Sequence, residues 1–422
     1  MEVYTQLVQN VKLPRMVKCL QKFDRNYIQD IPKEINGQLD RQEFRSLIKP
    51  GMSIAIPCGS RGVNNIAVIL KTIVDYCKAR GAEPFIFPAM GSHGGATPEG
   101  QLEIVHALGV TEQTMGCPIK ATMEVVPIGK TPEGHTVFID RYASQADGII
   151  VVGRIKAHTA FHGTFESGLM KMMTIGLGKQ HGAEVCHLTG FKHMARLVPM
   201  FGKVILQNAP VLFGVGIVEN AYEDTAIIKC LKPEEFETAE PELLKKAKSI
   251  MGRLLIDKID LLIVDQIGKD ISGDGADPNV TGAFLTPYAS GGLTAQRRVV
   301  LDLTESTHGN ANGVGLFDAT TKRLFQKADN SKAYPNAITS TEIKAVKMPM
   351  IMENDKDCIS VGLKTCNERD DDGPKIIRIK NTLELSHIYI SEVLIPFAQS
   401  HPNLELIGDP EPFAFDAQGN LL

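Results

Sequence analysis

From residue 50 onward, short apolar runs with strand character alternate with helical patterns, and this alternation restricts the fold more than any other feature. It consists of a strand at 52–59, an amphipathic helix at 64–81, a strand at 82–90, a helix at 97–109, and strands at 147–155 and 211–219. Strands that alternate with helices favour βαβ units. The pattern therefore predicts an α/β fold with a doubly wound parallel sheet.

The chain has 422 residues, which is long for a single hydrophobic core and indicates two domains. A helical pattern near residue 245 leads to a second set of strand-like runs, at 260–268, 297–303, 358–364 and 385–394. We predict a doubly wound N-terminal domain over 1–247. A smaller α/β domain over 248–400 would close the active site, and the segment 401–422 could return to the first domain.

Composition limits the classes of function. Hydrophobic residues make up 43% of the chain and charged residues 22%, which is typical of a globular protein. The formal charge of -4 argues against nucleic acid as a partner, and the one notable charged run is the acidic segment 368–372. The eight cysteines form no CxxC pair, so we expect reduced thiols. The chain has no long apolar run and does not begin like a signal peptide, which predicts a cytoplasmic protein without a membrane partner.

Three predicted strands are followed by polar or cationic residues, and ligands of parallel sheets bind beyond such carboxyl ends. Arg61 follows the first strand, and its guanidinium could hold a carboxylate or phosphate. His93 follows the second strand, in a glycine-rich turn whose backbone N–H groups could approach an anion. His158 follows the third strand, together with Arg154 and Lys156. The alternatives are a surface arginine and a turn histidine without a chemical task.

Lys171 lies within an unusually apolar run, between Leu169-Met170 and Met172-Met173. No polar helix face is available for its ammonium group, so the amine is expected to be neutral and nucleophilic. The alternative is a solvated lysine on an amphipathic helix. The same segment holds four histidines, which could act as acids, bases or metal ligands or could be purely structural; they are His158, His162, His181 and His187.

These motifs, in this order, resemble those of the nickel-pincer-nucleotide-dependent lactate racemase family and its 2-hydroxyacid racemase and epimerase relatives. Ser167-Gly168-Leu169-Met170-Lys171 matches the family's SGGRK-like segment, whose lysine binds the pincer cofactor covalently. His187 lies sixteen residues after Lys171, which is the family spacing of the axial nickel ligand. The resemblance implies that Lys171 tethers the nickel-pincer nucleotide (pyridinium-3,5-bisthiocarboxylic acid mononucleotide with Ni) and that His187 binds the metal.

The resemblance also implies roles for residues outside this segment. Arg61, Gln266 and Lys269 would contact the substrate, and His93 would be one catalytic histidine. The second catalytic histidine lies about ten residues before the lysine in the family. Here His158 lies thirteen and His162 nine residues before Lys171, and we prefer His158 because it directly follows a strand. The turn that precedes the helix at 97–109 is the predicted cradle for the cofactor phosphate, formed by Ser92, Gly94, Gly95 and Thr97.

The implied activity is that of a racemase or epimerase that inverts C2 of a 2-hydroxy acid by reversible hydride transfer. The family's lactate enzyme has a tryptophan near its cofactor, whereas this chain has none, which favours a larger polar acid such as a sugar acid or malate. The cofactor-synthesis proteins are the implied partners. One alternative is an NAD(P)-dependent oxidoreductase, but this chain lacks the GxGxxG motif that such an enzyme has after the first strand. The other alternative is a non-catalytic ligand-binding homologue.

Overall fold

The computed structural model describes residues 3–60, 62–367 and 372–422. The strands, numbered in chain order, are β1 (Met16–Gln21), β2 (Ser53–Cys58), β3 (Glu83–Pro88), β4 (Val125–Lys130), β5 (Thr136–Asp140), β6 (Gly148–Arg154), β7 (Val211–Glu219), β8 (Thr225–Leu231), β9 (Lys258–Ile267), β10 (Thr294–Leu303), β11 (Ala319–Thr321), β12 (Met350–Met352), β13 (Ile376–Ile379), β14 (His387–Ser391) and β15 (Leu404–Glu411).

The helices are numbered in the same way. They are α1 (Val3–Val8), α2 (Ile31–Leu39), α3 (Gln42–Arg45), α4 (Ile66–Ala79), α5 (Pro98–Ala107), α6 (Glu112–Met115), α7 (Arg141–Ser144), α8 (Leu169–Lys171), α9 (Lys179–His187), α10 (Met194–Asn208), α11 (Phe236–Ile250), α12 (Pro278–Thr281), α13 (Lys322–Lys327), α14 (Asn330–Ser340), α15 (Asp355–Lys364) and α16 (Ile395–Ser400). Among the described residues, none of these helices combines the length and apolar character needed to cross a membrane.

The first domain comprises Arg25–Met251 with Thr339–Thr341, and its core is a five-stranded sheet of order β3-β2-β6-β7-β8. Neighbouring strands run parallel except for the antiparallel edge strand β8. Alternate residues of each central strand face opposite sides: Ile54 packs in one hydrophobic core with α4, whereas Ala55 packs in another with α10. Because helices cover both faces, the doubly wound α/β prediction is confirmed for this domain.

The second domain comprises Met1–Asp24, Gly252–Ile338 and Glu342–Leu422, and it contains an eight-stranded mixed sheet. Its strand order is β12-β11-β10-β9-β13-β14-β1-β15. The five strands from β12 to β13 run parallel, whereas β14, β1 and β15 pair in antiparallel orientation. It is therefore a second α/β domain.

The ends of the chain correct the predicted domain bounds of 1–247, 248–400 and 401–422. Residues 16–21 form β1, which hydrogen-bonds to β14 and β15 of the second sheet, so the chain start does not belong to the first domain. The C-terminal segment pairs with β1 through β15 and stays in the second domain. Such pairings join residues hundreds of positions apart, and local hydrophobic patterns do not encode them.

The strand predicted over 358–364 is wrong, because these residues form the C-terminal part of α15. Both sides of this helix are buried, so its apolar residues occur as a run rather than with an open 3.6-residue period. Asn354 caps the helix by accepting a hydrogen bond from the backbone N–H of Asp357 at 2.9 Å. That capping residue, with Asp355 and Asp357 in the first turn, is the local signal of the helix.

Candidate active site

The carboxyl ends of β2, β3 and β6 meet at one edge of the first sheet, and the segment containing Lys171 packs there. A Cβ atom added to Gly59, directly after β2, would lie 3.3 Å from Cε of Met172. One added to Gly176 would lie 2.9 Å from the carbonyl oxygen of Ala89, just beyond β3. The segment therefore lies against the strand ends where parallel sheets bind ligands.

The backbone changes its helical type at Lys171. Residues Leu169–Lys171 form the short helix α8, and Met172–Leu177 continue as a π-helical turn. Leu169, Met170 and Met173 are fully buried, whereas Lys171 is half-buried. π-Helical turns are frequent at functional sites. The predicted apolar surroundings of the lysine are thus present, and the lysine itself stays partly exposed.

Lys171 contacts a histidine: its Nζ lies 2.7 Å from Nε2 of His158. The protonation of this pair follows from the other ring nitrogen, because Nδ1 of His158 accepts the backbone N–H of Ala160 at 3.0 Å. In a neutral imidazole, the proton then lies on Nε2. Nε2–H donates to the lone pair of Lys171, so this geometry requires an uncharged amine. The predicted base and the predicted tether are in direct contact.

A buried carboxylate supports the His158 loop, and it was missed from the sequence. The side chain of Glu166 is fully buried and accepts the backbone N–H of His158 at 2.8 Å. Its carboxylate also lies 3.1 Å from Nδ1 of His162 and 2.6 Å from Nζ of Lys248. Burial alone would raise the pKa of Glu166, but these hydrogen bonds and one from Gly163 lower it below its usual value. His162, the reserve candidate for the base, is therefore bound to an ionised glutamate.

His187 ends helix α9 and stacks on the ring of Phe191, with 5.7 Å between the ring centroids. Its Nδ1 atom is buried and has no hydrogen-bond partner in the part of the chain that the structure describes. Burial lowers the pKa of His187 to about 4, and the nearby Lys171 adds to this effect when it is protonated. The imidazole is therefore neutral at neutral pH and offers a nitrogen lone pair.

The glycine-rich turn after β3 is held by Gln101, whose fully buried amide donates to the carbonyl oxygens of Gly91 at 2.9 Å and His93 at 3.2 Å. Thr97 is the N-cap of α5 and accepts the N–H of Gly100 at 3.1 Å. Gly94 has φ +65° and lies so close to Gly100 that an added Cβ would be 2.4 Å from its carbonyl carbon. Thr97 and Gly94 thus serve the turn itself.

The other members of the predicted cradle have more open surroundings. A Cβ added to Gly95 would meet no heavy atom within 4 Å, and the residue is exposed. Ser92 and His93 are half-buried beside it. Arg61, the predicted substrate arginine of the neighbouring loop, lies outside the described residues, as do positions 368–371 of the acidic segment.

Gln266 and Lys269 lie in the second domain, at the carboxyl end of β9. The ammonium group of Lys269 donates to the carbonyl oxygen of Gly273 at 2.6 Å, and its backbone N–H donates to Oγ1 of Thr307 at 3.0 Å. The backbone N–H of Gln266 donates to the carbonyl oxygen of Lys380 at 2.9 Å. Both residues therefore occupy a strand end of their own sheet.

Residues 7–197 match the family model of the lactate racemase N-terminal domain. Over this span the chain is similar to the lactate racemase family. The matched span contains His93, His158, Lys171 and His187, and it confirms the resemblance that the motifs indicated.

Solved structures share the fold of this lactate racemase homologue. The lactate racemase apoprotein from Thermoanaerobacterium thermosaccharolyticum is 13% identical with a TM-score of 0.51, over 88% of this chain and 99% of that one. A protein from Thermotoga maritima is 12% identical with a TM-score of 0.51, over 84% of this chain and 96% of that one. No curated protein matches the chain. At these identities the likeness concerns the fold.

Two observations test whether a lactate racemase cofactor fits the residues present. A covalent tether needs an amine with a free electron pair, and the Lys171 amine is the acceptor of the His158 hydrogen bond. A nickel ligand needs a neutral imidazole, and the buried Nδ1 of His187 has no partner among the described residues. The amine of Lys171 and the imidazole of His187 therefore fit a covalently attached cofactor that contains nickel.

Glu240 is a second buried carboxyl group that was missed from the sequence. It lies on α11, is 1% exposed, and its Oε2 accepts the backbone N–H of Met170 at 3.1 Å. Burial raises the pKa of Glu240 to about 8, although hydrogen bonds from the backbone of Met170 and Leu169 oppose this rise. The protonated form is therefore the native form at neutral pH.

This raised pKa predicts a pH-dependent stability. An unfolded glutamate ionises near pH 4.5 whereas native Glu240 ionises near pH 8, so its contribution is fully present below pH 4.5 and is lost as the pH rises to about 8. The slope from this group is about 1.4 kcal/mol per pH unit. We expect Glu240→Gln to flatten the fall in urea midpoint between pH 5 and pH 8. An unchanged pH profile in this variant would contradict the assignment.

A buried ion pair connects the elements that carry the site. Nζ of Lys179 lies 3.0 Å from Oδ2 of Asp140, and both side chains are fully buried. The same ammonium donates to the carbonyl oxygen of Pro88, the last residue of β3. Burial lowers the pKa of Lys179, while the charge of Asp140 opposes this. Lys179 begins the helix that ends at His187, so the ion pair ties this helix to the end of β5 and the Pro88 hydrogen bond ties it to β3, the strand before the His93 turn.

Proposed function

We propose that this lactate racemase homologue inverts C2 of a 2-hydroxy acid with a nickel-pincer nucleotide attached to Lys171. The observation that carries the proposal is the 2.7 Å contact between Nζ of Lys171 and Nε2 of His158 at the ligand-binding edge of the sheet. It combines a nucleophilic amine with an acid–base group in a single contact.

When bound, the cofactor would supply a carbon that accepts the substrate's C2 hydride and returns it to either face. Lys171 would hold the cofactor covalently, and His187 would offer an imidazole nitrogen to nickel. Imidazole and sulfur are donors that suit nickel. Ser92, Gly94, Gly95 and Thr97 remain the proposed phosphate cradle. Of these, Gly95 and Ser92 have the most room for a ligand.

The protein's own chemistry would be proton transfer at the substrate hydroxyl. Acylation of Lys171 removes the lone pair that accepts the Nε2–H of His158. With the ring proton on Nδ1 instead, in place of the Ala160 hydrogen bond, the lone pair of Nε2 would take the proton of the 2-hydroxyl on one face. His93, in its protonated form, would return a proton on the other face, because inversion needs an acid–base group on each side. Arg61, Gln266 and Lys269 are the proposed carboxylate contacts, which keep the acid fixed while C2 inverts.

The proposed substrate is a 2-hydroxy acid larger and more polar than lactate, and the absence of tryptophan supports this. The polar loop at 306–310 is weaker support for a polar substrate, because its polar groups already have partners within the protein. Asn310 donates to the carbonyl oxygen of Lys332 at 2.9 Å, and Thr307 donates to the carbonyl oxygen of Asn310 at 2.9 Å. These groups have structural partners inside the second domain. A panel of single-enantiomer hydroxy acids, each assayed for its epimer, would identify the substrate class.

The tether predicts a covalent adduct. When the protein is produced together with the cofactor-synthesis enzymes, intact-mass spectrometry should show an adduct and elemental analysis should show nickel. Lys171→Ala should lose the adduct completely, because no other amine is placed at this contact. Lys203→Ala is the matched control, since Lys203 is an exposed lysine of α10 paired with Glu237. An adduct that persists in Lys171→Ala, or no adduct and no nickel in the parent protein, would contradict the proposal.

A further inference from the structure

The helix that carries Lys171 begins without a capping side chain of its own. The N-cap position of α8 is Gly168, so the first N–H groups of the helix need acceptors from elsewhere. Both Leu169 and Met170 are fully buried, which keeps water from this role. An unpaired buried N–H group is costly, so the start of this helix depends on a distant acceptor.

Glu240 supplies that acceptor from a position seventy residues later in the chain. Its Oε2 lies 3.1 Å and its Oε1 3.4 Å from the backbone nitrogen of Met170, and the Leu169 N–H also donates to the carboxyl group. A Cβ added to Gly168 would lie 2.0 Å from Oε1. Because φ of Gly168 is 168°, an extended value open to any residue, the glycine is required for space and not for conformation.

We propose that Glu240 is a positioning residue that replaces the missing N-cap of α8 and thereby aligns the amine of Lys171 with Nε2 of His158. Lys171 is the third residue of this helix, one turn from the carboxyl group. If the first turn unwinds, the lysine loses its fixed direction toward the histidine. The importance of that alignment for cofactor attachment rests on the proposed function, whereas the alignment itself does not.

Two isosteric variants separate hydrogen-bond acceptance from packing. Glu240→Gln keeps a side-chain oxygen that can accept the N–H groups, whereas Glu240→Met fills a similar volume without a comparable acceptor. We expect Glu240→Met to lower hydrogen-exchange protection of the Leu169 and Met170 amides by roughly tenfold or more, with Glu240→Gln close to wild type. Glu242→Met is the matched control, since Glu242 lies on the same helix and forms an exposed pair with Lys245.

The position of Lys171 is measured without any cofactor. An amine held neutral by His158 should react at pH 7 with a small acylating probe, acetyl N-hydroxysuccinimide, and peptide mass spectrometry gives the rate at Lys171 relative to Lys203. In Glu240→Met the lysine should revert toward an ordinary protonated amine, and we expect its relative rate to fall by roughly tenfold or more. Glu240→Gln should restore it. If Glu240 only stabilised the fold, the acylation rate of Lys171 relative to Lys203 would not change.

A rescue variant makes the test reciprocal. Gly168→Ser alone should lower protection and labelling, because its Cβ collides with the Glu240 carboxyl group. Glu240→Ala removes the acceptor and should do the same. In the double variant Gly168→Ser/Glu240→Ala the serine has room, and serine is a good N-cap. We therefore expect both readouts to recover in the double variant.

The proposal is overturned if Lys171 in Glu240→Met reacts at the wild-type rate, or if the Gln and Met variants lose labelling equally. It is also overturned if the folded double variant recovers neither readout. Since both readouts use the cofactor-free full chain, they are independent of the proposed function. Normal alignment of Lys171 without any adduct in the presence of the cofactor pathway would refute the proposed function and leave the role of Glu240 intact.

Discussion

Replacing His158 with alanine is expected to abolish epimer formation while the protein keeps its nickel. A positioned acid–base group contributes about 10²- to 10⁴-fold to rate, so the loss in kcat should lie in that range or beyond. The physical reason is the position of the ring: Nε2 of His158 lies 2.7 Å from the amine of Lys171, so this nitrogen faces the proposed tether. His93→Ala should give the same loss on the opposite face of the substrate.

Three histidine variants control this experiment. His181→Ala should retain activity, because that ring is exposed and its contact with a described aromatic residue is an edge contact with Phe138. His162→Ala should reduce activity less than His158→Ala, since its ring is bound to Glu166. His187→Ala should lose the metal. Loss of nickel in His158→Ala, or full activity in it, would show that its role as the base is wrong.

Removing the acid of the buried ion pair should destabilise the first domain more than any surface change. Asp140→Ala leaves the ammonium group of Lys179 buried without its counter-charge, which costs about 3–5 kcal/mol. Thermal and urea unfolding measure this loss. The double variant Asp140→Ala/Lys179→Met should recover much of the stability, because no unpaired charge remains.

The same ion pair has a consequence for the site. It holds the amine of Lys179, which begins the His187 helix and also donates to Pro88 at the end of β3, so Asp140→Ala should also reduce nickel retention when the domain is still folded. Glu242→Ala, which breaks the exposed pair with Lys245, should change neither stability nor nickel content. If Asp140→Ala unfolds at the wild-type midpoint, the pair does not have the stabilising role assigned to it.

The sheet of the first domain could be predicted because its strands are buried on both faces. Ile149 and Ile150 pack into opposite hydrophobic cores, so β6 is an unbroken apolar run flanked by turns. The run at 358–364 has the same appearance but forms a helix, since α15 is buried on both sides as well. Short apolar runs do not distinguish the two cases, and the local difference is the cap at Asn354 with the acidic residues of the first turn.

The candidate site was predicted where its members lie close in the chain or directly follow a strand. Lys171, His187 and His158 were proposed in this way, from an unusual charge and from motif spacing. Their contacts were not found: the loop between His158 and Lys171 has no helical or strand period that would bring the two side chains to 2.7 Å. Glu166, Glu240 and Lys179 were missed because glutamate and lysine usually indicate surface positions.

The sequence by itself determined the α/β class of the fold, the residues that follow the first strands and the family that the chain resembles. These depend on local periodicity and on short motifs, which a linear chain displays directly. Only the tertiary structure decided that β1 joins the second sheet, that Ala160 sets the tautomer of His158 and that Glu240 caps the helix of Lys171. Each of these is a hydrogen bond whose partner or geometry becomes defined only when the backbone has folded, and no local pattern encodes it.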